Sequence, residues 1–271
     1  MENVEEVQIE RITGKGREKT ADIVTRELPL TIMLNNEELV TLLCTPVNLK
    51  YLAAGYLQSE GVIGGWDEIS RITVDERKGI VRVETKEDKG LASDMAYKRV
   101  LTSGCGRGAS FYSFADMQDG LKVESQLSLT QEEVFHLLND FQHRSDMYRD
   151  TGGVHSAAIC DREKIMVFAD DIGRHNAVDK VFGECLLNGI STQDRLVITS
   201  GRISSEILIK VVRRNIPILV SRSAPTDLGV RLANQTGITL VGFARGHRMN
   251  IYTHNWRVIS HAGRQEKDAA D

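Results

Sequence analysis

The feature that most constrains this chain is the alternation of short apolar runs with longer amphipathic segments between residues 156 and 243. Runs at 156–160 and 165–169 read as a hairpin, and a helix follows over 175–187. Strand 195–199, helix 204–214, strand 216–220, helix 227–236 and strand 239–243 complete the series. Repeated strand–helix–strand units predict an α/β fold with a largely parallel sheet covered on both faces. In such sheets ligands gather where loops leave the carboxyl ends of the strands. Here those loops are 170–175, 200–203, 221–226 and 244–250, and each contains arginine, serine or glycine.

The first half reads differently. Residues 1–22 are polar, with a turn over 13–19 between short strands. Runs 28–34 and 39–44 flank Asn35-Asn36 as a hairpin. Thr45 and Pro46 suit the cap and first position of a helix, whose buried face is Leu49, Leu52, Ala53, Tyr56 and Leu57. The helix ends near Ser59-Glu60-Gly61. Glu60 is either a functional acid or, more economically, an exposed C-terminal carboxylate. A second hairpin is expected over 69–74 and 79–85, a polar connection over 88–95, and a short strand over 120–123. Segment 111–117 is ambiguous. Thr130 and Glu133 have capping-box spacing and start a helix that buries Val134, Leu137, Leu138 and Phe141. A boundary between Lys122 and Thr130 divides the chain into a smaller mixed α+β domain (1–125) and a second domain (126–260). Residues 261–271 are expected to be a disordered tail.

A net charge of −4 gives no global reason to expect nucleic acid or a membrane as partner. The acidic start of the chain lacks the pattern of a signal peptide, and no apolar run approaches a membrane span. The four cysteines are widely separated and match neither a disulfide framework nor a zinc site. These points predict a cytoplasmic protein with reduced thiols and no bound metal.

One cysteine stands apart. Cys105 lies in Thr102-Ser103-Gly104-Cys105-Gly106-Arg107-Gly108, where glycines permit a sharp turn and Arg107 favours a thiolate. It is read either as a reactive thiolate or as a free cysteine in a flexible loop. Glycines precede His155, and Asp171, Arg174 and His175 crowd a helix start. Asp171 and His175 are expected to order that loop rather than to hold a metal, since no tight ligand pair appears. Ser200-Gly201-Arg202 follows a strand without the lysine and spacing of a P-loop. Arg222 and Ser223 repeat the theme. Phe243, Ala244, Arg245, Gly246, His247 and Arg248 complete it, with fork-shaped guanidinium donors and an aromatic that can flank a base. Four such loops after consecutive strands favour an anionic, nucleotide-like ligand.

Together these residues resemble the FdhD family of sulfur carriers for formate dehydrogenase. The resemblance runs from Glu27-Leu28-Pro29-Leu30 to about Tyr252. Its most specific pieces are Gly55-Tyr56-Leu57-Gln58-Ser59-Glu60-Gly61, Thr102-Ser103-Gly104-Cys105-Gly106, Gly152-Gly153-Val154-His155, Asp171-Ile172-Gly173-Arg174-His175-Asn176-Ala177-Val178-Asp179-Lys180, Ser200-Gly201-Arg202 and Arg245-Gly246-His247-Arg248-Met249-Asn250-Ile251-Tyr252. The resemblance implies a cytosolic homodimer with a cytidine deaminase-like C-terminal domain. It implies that Cys105 takes sulfur from a cysteine desulfurase as a persulfide. The sulfur then passes to the bis-molybdopterin guanine dinucleotide cofactor, carrying molybdenum or tungsten, for formate dehydrogenase. By the same resemblance residues 243–248 bind that cofactor; Arg202, Arg222, Arg245 and Arg248 are the candidates to grip its phosphates. Many family members carry CxxC at the loop, whereas Gly108 occupies the second position here. A zinc-deaminase reading fails because His155-Ser156-Ala157 lacks the required glutamate and no PCxxC exists. The rival reading is a chaperone that holds the cofactor without moving sulfur.

Overall fold

The computed structural model describes residues 3–87, 100–101, 109–110 and 121–260. The Cys105 loop, the expected connection over 88–95, segment 111–117 and the expected tail at 261–271 lie outside the described residues.

The chain begins with a long ribbon. Strands β1 (Val4–Thr13) and β2 (Gly16–Thr25) pair antiparallel without a break from Val4↔Thr25 to Thr13↔Gly16. The turn is only Gly14-Lys15, not the wider 13–19 stretch that the sequence predicts. Val4, Val7, Ile9 and Ile12 are set among charged and polar residues, so the strand looks polar in sequence.

Next, β3 (Leu28–Leu34) and β4 (Glu37–Cys44) form the expected hairpin. Asn35 and Asn36 both adopt positive φ (45° and 70°), the geometry a tight hairpin turn requires. Helix α1 (Leu49–Ser59) follows, then the hairpin β5 (Ile69–Asp75) and β6 (Ile80–Thr85). The four strands make one sheet in the order β4-β3-β6-β5, with β3 and β6 parallel. Leu30, Ile32 and Leu34 alternate inward from β3 and pack with Leu52, Tyr56 and Leu57 of α1. Thr45 is not the helix cap; Asn48 holds that position in left-handed geometry. Two short strands, β7 (Val100–Leu101) and β8 (Ala109–Ser110), pair antiparallel and bring together the two ends of the segment containing Cys105.

In the second half, residues 121–123 form no strand. Val123 N–H instead donates to the Thr236 carbonyl, and the buried Arg257 guanidinium holds the Ser125 carbonyl at 2.9 Å. Strand β9 (Leu129–Thr130) leads into α2 (Gln131–Arg144), which starts on the predicted capping box. Glu133 N–H reaches Thr130 Oγ1 at 3.2 Å, while the Glu133 carboxylate accepts Thr130 N–H at 2.7 Å. Short helix α3 (Asp146–Thr151) precedes the hairpin β10 (His155–Cys160) and β11 (Ile165–Asp171). Then come α4 (Arg174–Leu187), β12 (Leu196–Thr199), α5 (Ser205–Val212), β13 (Ile218–Ser221), α6 (Asp227–Thr236), β14 (Thr239–Arg245) and β15 (Arg248–Ile251). Strand β16 (Val258–Ile259) pairs with β9.

The six-stranded sheet is mixed, in the order β11-β10-β12-β13-β14-β15. Only β12, β13 and β14 are mutually parallel. The expectation of a largely parallel sheet fails because β10 runs antiparallel to β12 as well as to its hairpin partner β11, and β15 returns antiparallel to β14 through a short turn. Both faces are covered, as the apolar runs require. Val178 and Phe182 of α4, Ile207 of α5 and Leu232 of α6 pack on one face. Val134, Leu137 and Phe141 of α2 pack on the other.

The two large sheets meet where α1 crosses α4. A Cβ on Gly55 would stand 1.8 Å from the Asp179 carbonyl oxygen, and one on Gly183 would stand 1.8 Å from the Tyr51 carbonyl oxygen. Only glycine permits that approach. Two buried ion pairs flank the crossing. Lys180 Nζ lies 2.6 Å from Asp171 and 2.7 Å from Thr45 Oγ1. Lys210 Nζ lies 2.5 Å from Asp179, whose other oxygen accepts from Ser59 Oγ at 2.7 Å. Glu60, read as an exposed carboxylate, is buried 4.0 Å from Lys210 Nζ, because the lysine under the helix end draws it inward.

Candidate functional site

Parallel strands β12, β13 and β14 deliver their last residues to one edge of the sheet. Antiparallel β10 begins at that same edge, so His155 stands beside Ser200, with Arg222 and Arg245 nearby. The N-termini of α4, α5 and α6 follow loops on this edge and bring the positive ends of their helix dipoles to it. The edge therefore carries an excess of donors and of positive charge.

A cavity of about 440 Å³ opens there, lined by Gly153, His155, Ser156, Ser200, Arg222 and Arg245 among others. Its floor is polar and ordered. Ser200 Oγ accepts Ser156 N–H at 3.0 Å and lies 3.2 Å from His155 Nδ1. Asp170 accepts from Ser156 Oγ at 2.6 Å and from Ser145 Oγ at 2.7 Å. Burial raises the Asp170 carboxyl above its ordinary value, with the two serine hydrogen bonds opposing. Burial, reinforced by Arg174, lowers His155 below its ordinary value, which favours the neutral imidazole.

A second cavity of about 410 Å³ adjoins the first, lined by Phe135, His136, Ala244, Gly246 and His247. The two share Gln142, Arg222 and Arg245. His247 meets Phe135 edge-on at 5.5 Å between ring centroids, which fixes one wall. Arg245 Nε donates to the Arg222 carbonyl at 3.0 Å, tying adjacent strand ends together. A third cavity of about 470 Å³ continues past Gly153 and Ile172 to the apolar residues Val24 and Leu43.

The residues singled out in the sequence fall into three groups. Arg222, Ala244, Arg245, Gly246 and His247 converge on the paired cavities. Arg202, Phe243 and Arg248 are exposed nearby, and half-buried Ser223 gives its N–H to Ser221 Oγ at 2.9 Å; none of these four lines the cavities. Phe243 has a φ of 51°, an uncommon conformation for a bulky residue, at an irregularity in the β14–β15 pairing. Cys105 lies outside the described residues. The three other cysteines are buried, and burial is the main cause that raises each thiol: Cys44 and Cys185 are pushed up to about 12, and Cys160 also rises.

Asp171 orders its loop by accepting from Gly173 N–H at 2.8 Å and Asn176 Nδ2 at 2.9 Å. His175 Nε2 lies 3.1 Å from Glu206, on the α5 side of that loop. The sequence reading missed Ser145, Gln142 and Tyr148 as neighbours of the site, while Asp170 stood in the expected 170–175 loop without a role of its own. Ser145 was findable as a cap between two helical segments, since its hydroxyl accepts Tyr148 N–H at 2.9 Å. Nothing local marks Gln142 or Tyr148.

Residues 25–259 match the FdhD/NarQ family. The chain belongs to that family. It is 45% identical over 240 residues to the sulfur carrier protein FdhD of Bacillus subtilis (strain 168), covering 89% of this chain and 92% of that protein. It is 42% identical to the protein of the same name from Staphylococcus aureus (strain MRSA252), covering 89% and 91%. A crystal structure from Desulfotalea psychrophila, of a protein named a formate dehydrogenase accessory protein, superposes with a TM-score of 0.77 at 27% identity. That likeness covers 95% of this chain and all of that one. The FdhD/NarQ match takes in both large sheets and the arginine edge and leaves most of the β1–β2 ribbon outside. No helix among the described residues is long and apolar enough to cross a membrane.

Proposed function

We propose that this chain is a cytoplasmic sulfur carrier that activates formate dehydrogenase; in support, relatives are named sulfur carrier protein, and the similar solved structure is named a formate dehydrogenase accessory protein. In this reading Cys105 is the carrier. Its thiolate attacks the outer sulfur of a cysteine desulfurase persulfide; the sulfur–sulfur bond of the donor breaks, the desulfurase thiolate leaves, and Cys105 becomes the persulfide. The outer sulfur is then passed to the bis-molybdopterin guanine dinucleotide cofactor, with molybdenum or tungsten, before that cofactor reaches the dehydrogenase: the Cys105 sulfur–sulfur bond breaks, the Cys105 thiolate leaves, and the cargo's reduced metal would supply the two electrons that make the arriving sulfur a sulfide. The cofactor is cargo here.

The observation that carries the reading is the pair of joined cavities with Arg222 and Arg245 between them. Planar guanidinium forks bind phosphate through two parallel hydrogen bonds, and adjacent helix N-termini add to the attraction. A dinucleotide has phosphates for the shared arginines and a base for the wall of Phe135 and His247. Exposed Phe243, Arg248 and Arg202 extend the same surface. A second support is the state of the other thiols: a thiol pushed up to about 12 holds almost no thiolate at pH 7. The reading includes a homodimer, and a C-terminal unit (126–260) of cytidine deaminase type behind an N-terminal unit (1–125).

The rival, a chaperone that holds the cofactor without moving sulfur, draws on the same cavities and on Gly108 in place of a second loop cysteine. Intact-mass measurement after incubation with a cysteine desulfurase and cysteine separates the two. A gain of one sulfur, about 32 Da, in wild type and not in Cys105→Ala is expected. No gain in either protein would leave the chaperone, and a gain in both would move the carrier role to another cysteine.

A further inference from the structure

The β1–β2 ribbon has no use in the reading above, and most of it precedes the family match. It is also poorly supported. β2 approaches the body through Thr25 Oγ1, which lies 2.8 Å from Thr151 Oγ1. Among the described residues β1 pairs with β2 alone, so its outer edge presents a row of unpaired amides and carbonyls along ten residues. Two-stranded ribbons are marginal in water, and a free edge of this length is a template for another strand. Ile12, 64% exposed near the tip, adds apolar surface to it.

The sequence of β1 says which strand fits. If two copies pair antiparallel about a two-fold axis, the axis must pass through a residue opposite its own copy. This follows because directly opposed pairs alternate between hydrogen-bonded and non-hydrogen-bonded types, so symmetry cannot exchange neighbouring pairs. Centring on Val7 sets Glu5 against Ile9, and centring on Ile9 sets Val7 against Arg11. Centring on Glu6 or Glu10 sets a glutamate against itself. Centring on Gln8 gives a different result: Val7 meets Ile9, Glu5 meets Arg11 and Val4 meets Ile12, each twice, with Gln8 facing its own copy. The first two pairs share one face, an apolar centre flanked by opposite charges. The one conflict is Glu6 against Glu10, and Glu10 already lies 3.4 Å from Arg17 of its own ribbon.

We propose that a second copy of this chain adds its β1 antiparallel to this β1, centred on Gln8, to make a continuous four-stranded sheet in the order β2-β1-β1-β2. The proposal rests on the homodimer part of the reading above and supplies its interface. The interface is isologous and closes on itself, so it leaves no free β1 edge for further growth.

The test is sedimentation equilibrium of the full chain across a wide concentration range, with four variants. Val7→Lys places two charges in the apolar centre and should weaken association roughly a hundredfold. Glu5→Arg and Arg11→Glu each oppose two pairs of like charges and should weaken it roughly tenfold. The double variant Glu5→Arg, Arg11→Glu restores opposite charges and should return to within about threefold of wild type. Thermal unfolding identifies any variant whose body has lost its fold. A wild-type dimer unaffected by Val7→Lys would overturn the strand pairing while leaving the homodimer intact. A wild type that stays monomeric would overturn both, and a double variant no better than the singles would overturn the Gln8 register.

Discussion

At the seam between α1 and α4, Lys180 and Lys210 are buried and closed on carboxylates, with Thr45 and Ser59 completing the hydrogen bonds. At the arginine edge, Arg245 donates to the Arg222 main-chain carbonyl, both residues line open cavity, and Arg245 is exposed. Both regions are built from charged residues in glycine-rich surroundings, and in the sequence they look alike. Burial separates them. A charge taken from water must be matched by a partner in the fold, whereas one left at a cavity mouth stays available to a ligand. The seam is where charge fastens the protein, and the edge is where charge is offered.

The sharpest break in that comparison comes from removing one half of a seam pair. Lys180→Met leaves Asp171 buried without its cation and should cost about 4 kcal/mol of stability. Urea unfolding of the two proteins side by side measures it, and a loss below about 1 kcal/mol would mean the pair behaves as an exposed one. Next in size is Gly55→Ala. The added methyl forces α1 away from the Asp179 carbonyl, at a cost of about 3 kcal/mol, visible as a lower melting temperature.

Arg222→Ala and Arg245→Ala should do the reverse. Stability stays within about 0.5 kcal/mol of wild type, while calorimetric affinity for guanosine diphosphate falls about 10- to 100-fold. An arginine variant that binds as tightly as wild type would remove that residue from the ligand edge.

The smallest effect concerns pH. Burial lowers His175 from its ordinary value of 6.5, with Lys210 and Arg174 adding to the shift and Glu206 opposing it. The folded protein therefore binds this proton less readily than the unfolded chain. The contribution is fully present above about pH 6.5 and is lost as pH falls through that value toward the lower folded one. Glu206, lowered chiefly by its hydrogen bond to His175, loses its own contribution in a lower window, below its ordinary 4.5. Urea midpoints at pH 7.5 and 5.5 should show the decline, and His175→Asn should reduce it, leaving the part that His155 contributes with the same sign.

What the sequence reveals here depends on the distance over which each feature is decided. The capping box at Thr130 and Glu133 and the Asn35-Asn36 turn are settled within four residues, and the structure matches the prediction. The arginine loops were visible because each follows an apolar run. Thr45 was misread because its partners, Asp171 and Lys180, stand 126 and 135 residues away. Glu60 was misread for the same reason, being drawn inward by Lys210. The antiparallel pairing of β10 with β12 was hidden because both strands are apolar on either face, so neither order nor direction leaves a periodic trace. The length of the ribbon was hidden by its charges.

Phe243 carries one more consequence. A phenylalanine held at a φ of 51° gives up about 1–3 kcal/mol that glycine at the same turn would keep. Selection for folding alone would put glycine or asparagine there. The ring is 41% exposed, so burial returns little of what the backbone loses. Phe243→Gly would therefore relax the backbone two residues before Arg245 while giving up little buried apolar surface.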